Sequence, residues 1–238
     1  MPISASPHLI TKNQLLAALP RHEYERLAPH LELTHLPKGK TLAHPGESLR
    51  YAYFPTNGMI SLLSTTESGQ TIEVAMIGNE GLVGVPIILG VNVAPYWCMV
   101  QIQSDAMRIS AAALRKEFKS GDVLNDLLLR YTHGLLTHIT QSAVCNSFHT
   151  VQERLCRWLL VSRDRLKSDS INLTQEFISQ MLGTARTGVT MAAIPLQDAG
   201  YIRYRRGKIT ILNRQGLESA ACECYTIIRK EIDHNLAA

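Results

Sequence analysis

The sequence has little that would place it in a membrane, outside the cell or in a disulfide-stabilised scaffold. It contains no apolar run of about 18 residues, the length that a membrane-spanning helix needs. Residues 1–8 lack the basic segment and apolar core of a secretory signal. The five cysteines are an odd number without disulfide-like spacing, which fits a reducing compartment. We therefore expect a cytoplasmic protein without a membrane partner.

Motifs of the common enzyme classes are also missing. There is no Ser/His/Asp grouping, no H-E-x-x-H motif and no phosphate-binding loop. The nine histidines are scattered along the chain. With 45% hydrophobic and 18% charged residues the chain is able to bury a core, and its 238 residues suit one large domain or two smaller ones. We predict a folded binding protein and no enzyme.

The net charge is unevenly placed. The chain has 24 Lys and Arg against 20 Asp and Glu, a formal charge of +4. Residues 1–146 hold 11 of each sign, so the whole excess lies in residues 147–238. An excess of this size is ordinary for a protein surface, but its position is consistent with a module that binds a polyanion such as DNA.

The strongest pattern lies in residues 173–212. Thr174 is suited to cap a short helix that ends near Leu182, and Gly183 supplies a left-handed turn. Residues 184–197 then predict a second helix. The buried positions of the pair have the spacing of a helix-turn-helix, whose second helix enters the DNA major groove. These positions are Ile178, Leu182, Val189 and Ala192.

A basic hairpin follows the helix pair at residues 201–211. Its alternating residues and Arg-Gly turn predict two strands that form a wing. Four cations of this wing are candidates for phosphate contacts: Arg203, Arg205, Arg206 and Lys208. We predict a winged helix-turn-helix domain that binds double-stranded DNA. The alternative is a structural winged-helix domain that binds protein.

The N-terminal part has a different pattern. After short helical stretches at 13–19 and 22–30, Gly, Pro and Asn punctuate short apolar or alternating runs from residue 33 to residue 110. Strands at this spacing predict an antiparallel roll or barrel, followed by a short helix at 111–119. The predicted fold class is therefore α+β.

A long helix is predicted from about residue 122 to residue 144. Apolar residues recur on one face at alternating intervals of four and three, as in a coiled coil. The predicted seam consists of Leu124, Leu128, Tyr131, Leu135 and His138. We predict that it pairs with a second copy of the chain; the alternative is that it packs on its own roll. Residues 146–150 predict a hinge, and 151–166 predict the helix after it.

The predicted parts are a roll with its helices at 1–121, a dimerisation helix and hinge at 122–146, and a DNA-binding domain at 147–238. This order resembles the Crp/Fnr family of bacterial transcription regulators, and the resemblance covers nearly the whole chain. Its local matches are Gly46-Glu47, the stretch from Gly78 to Gly84, and the recognition segment from Leu182 to Val189.

The resemblance implies a cyclic-nucleotide-binding-like jelly roll that binds an effector. It also implies a homodimer joined by the long helices, in which the wings and recognition helices grip a palindromic DNA site. RNA polymerase is a further partner that the resemblance implies. The alternative function is a protein-interaction regulator on the same fold, with weak or non-specific DNA binding.

The roll departs from family members that bind cyclic AMP. Those members carry a Gly-Glu pair for the ribose and a later arginine for the cyclic phosphate. Here Gly84 is followed by Val85-Pro86, and no basic residue lies between positions 50 and 108. A buried phosphate without a cation has a large unpaired-charge cost, so we predict that this roll does not bind cyclic AMP.

The candidate effector pocket is Gly84, Val85, Pro86, Tyr96 and Trp97. Tyr96 and Trp97 suit an apolar small-molecule effector. The alternative is that they are core and rim residues of the roll. The effector itself is unknown, and no cofactor is predicted.

No metal site is predicted either. Oxygen-sensing relatives hold an iron–sulfur cluster with N-terminal cysteines, and no cysteine precedes Cys98. Haem-binding relatives use a histidine of the roll, and His44 has no supporting pattern. Cys222 and Cys224 are expected on different faces of the last helix, which makes a poor chelate. Cys145, at the end of the seam, is either a redox crosslink to its twin or a small buried residue.

The predicted recognition helix keeps one arginine of the family pattern. Arg186 is the candidate for guanine readout through a bidentate pair. The other candidates for base or phosphate contacts are Thr184, Thr187, Thr190 and Met191, of which Thr184 is also a candidate helix cap.

Two residues are unfavourable in this helix. In a helix interior, Gly188 costs about 1 kcal/mol and Pro195 about 3 kcal/mol. We therefore expect the helix to kink or end near Ile194, with some loss of sequence specificity.

Overall fold

The computed structural model describes residues 12–237, which form two compact units. The first unit contains residues 12–62, 76–136 and 232–237, and the second contains residues 63–75 and 137–231. The second unit is therefore larger than the predicted domain at 147–238, because it includes the end of the long helix and a segment of the roll sequence.

The chain up to the long helix forms the predicted roll with its flanking helices. The helices are α1 (Gln14–Ala17), α2 (Arg21–Leu27, extended by a 3₁₀ turn at Ala28–His30), α3 (Val85–Ile88), α4 (Ala111–Lys119) and α5 (Val123–Phe148). The strands are β1 (Glu32–Leu36), β2 (Thr41–Ala43), β3 (Tyr51–Pro55), β4 (Met59–Thr65), β5 (Thr71–Ile77), β6 (Trp97–Ile102) and β7 (Ser104–Ser110).

Two sheets make up the roll. One has the order β1-β7-β3 and the other β2-β6-β4-β5. Strand β7 lies antiparallel to both of its neighbours, with Glu32 opposite Arg108 and Phe54 opposite Met107. Phe54, Ile60 and Val100 are fully buried, as expected for inward-facing strand positions. The prediction of an antiparallel roll is confirmed.

Helix α5 starts on a buried carboxylate. Glu23 of α2 is 3% exposed, and its two oxygens accept hydrogen bonds from the backbone N–H groups of Val123 and Leu124 at 3.0 and 2.9 Å. These N–H groups have no partner within the helix, and the positive end of the helix dipole stabilises the carboxylate. This contact fixes the start of α5 against α2.

The predicted seam of α5 is buried within a single chain. Leu124, Leu128 and Leu135 are 3%, 0% and 8% exposed, and the Tyr131 hydroxyl donates to the Leu82 carbonyl oxygen at 3.1 Å. His138 is 3% exposed. A side chain covered by its own chain has little area left for a partner, so burial argues against Leu124, Leu128, Leu135 and His138 as the seam, while Tyr131 is half-buried.

His138 lies in the second unit, beside Arg165 of the helix that follows α5. The distance from Arg165 Nη2 to His138 Nδ1 is 3.3 Å. Burial, together with the charges of Arg165 and Arg157, holds the pKa of His138 well below its usual value. The imidazole is therefore a neutral acceptor inside the unit.

The opposite face of α5 is exposed and has coiled-coil spacing too. Asp126, Leu129, His133 and Leu136 are all exposed, at alternating intervals of three, four and three residues. Leu129 is 47% exposed and Leu136 is 58% exposed. Two large apolar side chains seven residues apart on one exposed face suit contact with another helix.

The second unit contains the winged domain. Its helices are α6 (Val151–Leu166), α7 (Gln175–Leu182), α8 (Arg186–Asp198), α9 (Arg214–Ser219) and α10 (Cys224–Ala237). Its strands are β8 (Ser170–Asn172), β9 (Ile202–Arg205) and β10 (Lys208–Ile211), in the order β8-β10-β9. The core includes Leu155, Trp158, Ile178 and Val189, each at most 1% exposed.

The break between α5 and α6 is shorter than predicted. Helix α5 continues to Phe148, and the His149 N–H still donates to the Cys145 carbonyl oxygen at 3.2 Å. Thr150 then caps α6 in a capping box with Glu153. The expected hinge at 146–150 is thus reduced to two residues outside the helices.

The tip of the β4–β5 hairpin belongs to the second unit. Trp158 donates its indole N–H to Glu73 Oε1 at 2.9 Å, and both side chains are buried. Ile72 packs against Gly183, the turn residue between α7 and α8. A Cβ at Gly183 would lie 2.6 Å from Ile72 Cδ1. The hairpin tip therefore packs against the turn between α7 and α8.

Gly183→Ala is expected to destabilise the second unit for two separable reasons. The left-handed backbone at φ 58° costs an L-residue about 1–2 kcal/mol, and the new methyl group meets Ile72. In an Ile72→Ala background only the backbone cost should remain, so Gly183→Ala should cost less there. Urea unfolding followed by Trp158 fluorescence measures both, with Trp97→Phe removing the second tryptophan.

An equal cost in both backgrounds would show that the Ile72 contact is irrelevant. No cost in the Ile72→Ala background would show that the backbone conformation is not the constraint.

Candidate DNA-binding site

The α7–turn–α8 segment forms the predicted helix-turn-helix. Thr174 Oγ1 accepts the Phe177 N–H at 3.2 Å and caps α7. Gly183 ends α7 in the left-handed conformation, and the next N–H, of Thr184, donates to the Ser179 carbonyl oxygen at 3.0 Å. The small Ser179 is 4% exposed. These contacts set the direction in which α8 leaves the turn.

Helix α8 starts later than predicted. It begins at Arg186, and its N-cap residue is Ala185, which offers no side-chain hydrogen bond. The prediction that Thr184 caps the helix is therefore wrong. Thr184 instead packs against Gly188: a Cβ at Gly188 would lie 2.7 Å from Thr184 Oγ1. Gly188, which is unfavourable for the helix, therefore leaves space for the Thr184 side chain of the turn.

Helix α8 also ends later than expected. It continues through Pro195 to Asp198, and the Ala199 N–H donates to the Pro195 carbonyl oxygen at 3.0 Å. Of the expected kink or end near Ile194, the end is therefore wrong, and the kink stays a prediction. Leu196 is 1% exposed, and its packing holds the last turn in place although Pro195 has no N–H to donate.

The N-terminal half of α8 has one face that is exposed to solvent. Arg186 and Thr187 are exposed, and Met191 is 68% exposed. Thr190 is different, because its hydroxyl lies 3.2 Å from both Gln175 Oε1 and the Arg186 carbonyl oxygen. Its proton is used inside the chain, so Thr190 joins α7 to α8.

The wing turns at Arg206-Gly207. Both residues have positive φ, 50° and 75°, as a two-residue type I′ hairpin requires. Arg203 and Arg205 are two residues apart on β9, and Lys208 lies directly opposite Arg205 on β10. These three exposed cations therefore share one face of the wing, with Arg206 at its tip.

An open groove runs between the helix pair and the wing. Its lining residues are Thr174, Gln175, Glu176, Arg186, Tyr204, Arg206 and Gly207. The Tyr204 hydroxyl donates to the Leu173 carbonyl oxygen at 3.1 Å, and burial raises the pKa of Tyr204. Tyr204 and Gln175 are groove residues that the sequence patterns did not single out, because their roles depend on contacts across the unit.

Within residues 12–237, the cations of this surface have no acidic partners. Two other arginines of the second unit are paired: Arg163 with Asp169 at 2.5 Å, and Arg214 with Glu218 at 2.7 Å. Among the described residues no carboxylate forms an ion pair with the recognition arginine or the four wing cations, namely Arg186, Arg203, Arg205, Arg206 and Lys208. Like charges held together without counter-charges favour an anionic ligand.

Arg206→Asn is expected to separate stability from DNA binding. Asparagine adopts the positive φ of a type I′ turn more readily than arginine, so the free energy of unfolding should rise by about 0.5–1 kcal/mol. The loss of one cation should weaken binding to every duplex and lower the salt slope by about 1. Urea unfolding and fluorescence anisotropy at several salt concentrations measure the two effects.

Arg203→Asn is the matched control, because it removes the same charge from a strand position that lies opposite the neutral Thr210. It should weaken binding without raising stability. Equal changes in stability for the two variants would contradict the role of the turn.

The candidate effector residues of the roll are tied to the roll itself. Gly84 begins α3 with φ 115°, and Val85 and Pro86 are buried. Trp97 donates its indole N–H to Thr41 Oγ1 at 3.2 Å and stacks on His44 with ring centroids 5.8 Å apart. These contacts agree with the alternative interpretation of Trp97 as a residue of the roll rim.

The candidate effector residues lie in a stretch of sequence without basic side chains. Residues 51–107 contain no Lys or Arg. Arg108 is held by Glu32 at 2.9 Å and lies over the Tyr51 ring, 4.6 Å from its centroid. The Tyr96 hydroxyl is buried and has no hydrogen-bond partner among the described residues. Burial raises the pKa of Tyr96, so its hydroxyl keeps its proton.

The cysteines of the second unit are placed differently from the prediction. Cys145 is fully buried, and its sulfur lies 3.5 Å from Cys222 of the same chain, so it is not presented to a twin. Cys222 precedes α10, which begins at Cys224, so the two thiols are not separated onto different helix faces. Donation by the Cys222 thiol, with the charge of Arg157, lowers the pKa of Cys145.

Two family models match the two functional parts of the chain. Residues 33–120 match the cyclic nucleotide-binding domain, and residues 153–220 match the Crp-like helix-turn-helix domain. The chain belongs to the Crp/Fnr family of DNA-binding transcriptional regulators. Among the described helices, none has the length and apolar character to span a membrane.

Several known proteins are similar to this chain over almost their full length. The global nitrogen regulator of Synechocystis sp. is 24% identical over 216 residues, covering 86% of this chain and 94% of that protein. FixK2 from Bradyrhizobium japonicum has a TM-score of 0.70 at 18% identity, covering 81% of this chain and 98% of its own. The c-di-GMP-responsive regulator CLP from Xanthomonas campestris has a TM-score of 0.66 at 17% identity, covering 81% of this chain and 99% of its own. The two solved structures show a shared fold.

Proposed function

We propose that this regulator binds a palindromic operator in the cytoplasm as a homodimer and does so without cyclic AMP. The observation that carries the proposal is the exposed cation surface formed by α8 and the wing, to which the described part of the chain offers no ion-pair partner. Arg186 starts the exposed face of the recognition helix, while Arg203, Arg205 and Lys208 share one face of the wing. Duplex DNA supplies the missing negative charge along its two backbones.

The residues of the surface take different roles in this proposal. Arg186 reads a guanine through a bidentate pair in the major groove, and Met191 contacts a thymine methyl group. Thr187 contacts a base or a phosphate beside it. Thr184 and Thr190 lie against their own helix pair and serve it chiefly as packing and positioning residues. The wing cations bind phosphates and fix the register of the domain on the duplex.

The proposed dimer contact is the exposed face of α5. Leu129 and Leu136 have the spacing of one heptad and remain uncovered in the single chain. A twofold pair would remove both from water and bring two winged domains to one operator. RNA polymerase is the proposed further partner of the DNA-bound dimer.

The proposed roll senses a ligand other than cyclic AMP, or none. The place that a ribose-binding Glu takes in cyclic AMP-binding relatives is Val85 here, and a phosphate would find no guanidinium from residues 51–107. Burying a phosphate without a counter-charge costs far more than its hydrogen bonds return. The CLP regulator of Xanthomonas campestris responds to c-di-GMP, and the same charge argument weighs against that ligand here.

A second candidate is a regulator that acts mainly through protein contacts. It is favoured by the apolar side chains of Met191 and Ile194, which are 68% and 43% exposed on α8. Apolar recognition surfaces are more typical of protein interfaces than of phosphate contacts. DNA selection distinguishes the two candidates.

The first experiment is selection from a random duplex pool with the full chain and no effector, repeated with cyclic AMP. We expect a palindrome with half-sites about one helical turn apart, enriched equally in both conditions. Recovery only with cyclic AMP would contradict the proposal for the roll. No enrichment in either condition, with retained binding to a protein partner, would favour the second candidate.

Variants of the selected complex test the residue roles. Arg186→Ala should cost about 1–3 kcal/mol on the selected site and relax the preference at one base pair of each half-site. Arg205→Ala with Arg206→Ala should weaken all duplexes alike and lower the salt slope by about 2. Lys116→Ala, an exposed cation of α4, is the control and should change neither quantity. Unchanged binding in the first two variants would overturn the site assignment.

The dimer contact has its own test. Leu129→Asp with Leu136→Asp should convert a dimer into a monomer in sedimentation velocity, because carboxylates would face each other across the contact. Circular dichroism should be unchanged, since both side chains are exposed in the single chain. Leu89→Asp, 57% exposed on another part of the first unit, is the matched control. A double variant that stays dimeric would move the contact elsewhere.

A further inference from the structure

Four side chains with metal-ligating atoms meet inside the second unit. They are Cys145, His149, Cys222 and Cys224, and their ligand atoms all lie within 4.8 Å of one another. The three cysteines are at most 5% exposed, and His149 is half-buried. No contact in the proposed DNA-binding surface uses these residues.

Local structure explains how they come together. Cys145 lies in the last turn of α5, and His149 directly follows the helix with its N–H still bonded to the Cys145 carbonyl oxygen, so the two side chains, four residues apart, lie on one face. Cys222 lies in the loop before α10, and Cys224 is the first residue of that helix. The loop turns both thiols toward α5, so two segments 77 residues apart supply two ligands each.

The distances suit a single tetrahedral ion. Cys145 Sγ lies 3.5 Å from Cys222 Sγ, and Cys224 Sγ lies 3.6 Å from His149 Nδ1. With zinc–sulfur bonds of about 2.3 Å, tetrahedral ligands are about 3.8 Å apart. An iron–sulfur cluster spreads its thiolates over several iron atoms and needs a wider set of ligands than this one.

The surroundings of the four ligands complete the pattern. His149 Nε2 lies 3.4 Å from Glu223 Oε2, while Nδ1 faces Cys224. A carboxylate on the outer nitrogen is the usual way in which a metal-binding imidazole is oriented. This observation is independent of the cysteine cluster and selects Nδ1 as the ligand atom.

Charge also balances at this position. Arg157 is 4% exposed, and its Nε lies 3.2 Å from Cys145 Sγ. Three thiolates and one Zn²⁺ have a net charge of −1, which the guanidinium offsets. A buried arginine beside neutral thiols would lack that compensation.

We propose that Cys145, His149, Cys222 and Cys224 bind one zinc ion in a closed, structural site. All four positions of the ion are filled by protein, which leaves none for a substrate and makes the site a cross-link between the end of α5 and the start of α10. Each thiol that is protonated before binding releases its proton to solvent. This proposal departs from the sequence-based expectation that the chain has no metal site.

The test is the metal content of the full chain, purified anaerobically with a non-thiol reductant and dialysed exhaustively. We expect one zinc ion per chain, released when an organomercurial titrates the thiols. Exchange for cobalt should give the visible bands of a tetrahedral ion and near-ultraviolet thiolate-to-cobalt charge transfer. Chelation of the zinc should lower the thermal midpoint of the second unit.

Variants separate ligands from bystanders. Cys222→Ser and Cys224→Ser should lose the zinc, whereas Cys156→Ser, a buried thiol of α6 outside the cluster, should keep it. Glu223→Gln changes an exposed side chain and should weaken zinc affinity by about 10- to 100-fold without unfolding the chain.

Three results would overturn the proposal. One is a reduced, folded chain that takes up neither zinc nor cobalt. Another is iron with acid-labile sulfide in place of zinc. The third is a Cys145–Cys222 disulfide in the isolated protein that yields no metal binding when it is reduced. None of these readouts depends on DNA, so the proposal stands or fails independently of the proposed function.

Discussion

The turn at Gly183 is the constraint on which the DNA-binding surface depends. Its left-handed backbone ends α7, and its missing side chain admits Ile72 to a position 2.6 Å from where a Cβ would stand. The same turn lets Thr184 pack against Gly188, and α8 then begins at Arg186. A different residue at this point would change the crossing of the two helices and hence the direction of the Arg186 side chain.

The positions of the cations in the wing lower the stability of the hairpin. Lys208 faces Arg205 across the strands, and like charges in that arrangement destabilise a hairpin. Arg206 occupies a left-handed position that asparagine or glycine would fill more easily. Neither choice improves the fold of the free chain. Both choices are explained if the wing binds the phosphate groups of DNA. Each cation that contacts a phosphate releases a counterion from the DNA.

The sequence predicted those features that depend on local spacing. The cap at Thr174, the glycine turn and the basic hairpin were all readable, because each is a short-range backbone pattern. The face of α5 that is free for a partner was not readable. Two stripes with coiled-coil spacing run along that helix, and only the tertiary packing of Tyr131 on Leu82 decides which one is covered.

The cysteine cluster was missed for a related reason. Cys222 and Cys224 were placed on one helix, where residues two apart diverge, but the helix begins at Cys224 and the loop before it turns Cys222 inward. Cys145 and His149 have helical metal-ligand spacing, yet two ligands on one helix do not distinguish a site from chance. The decisive fact is long-range: the fold brings a loop 77 residues away onto the same helix end.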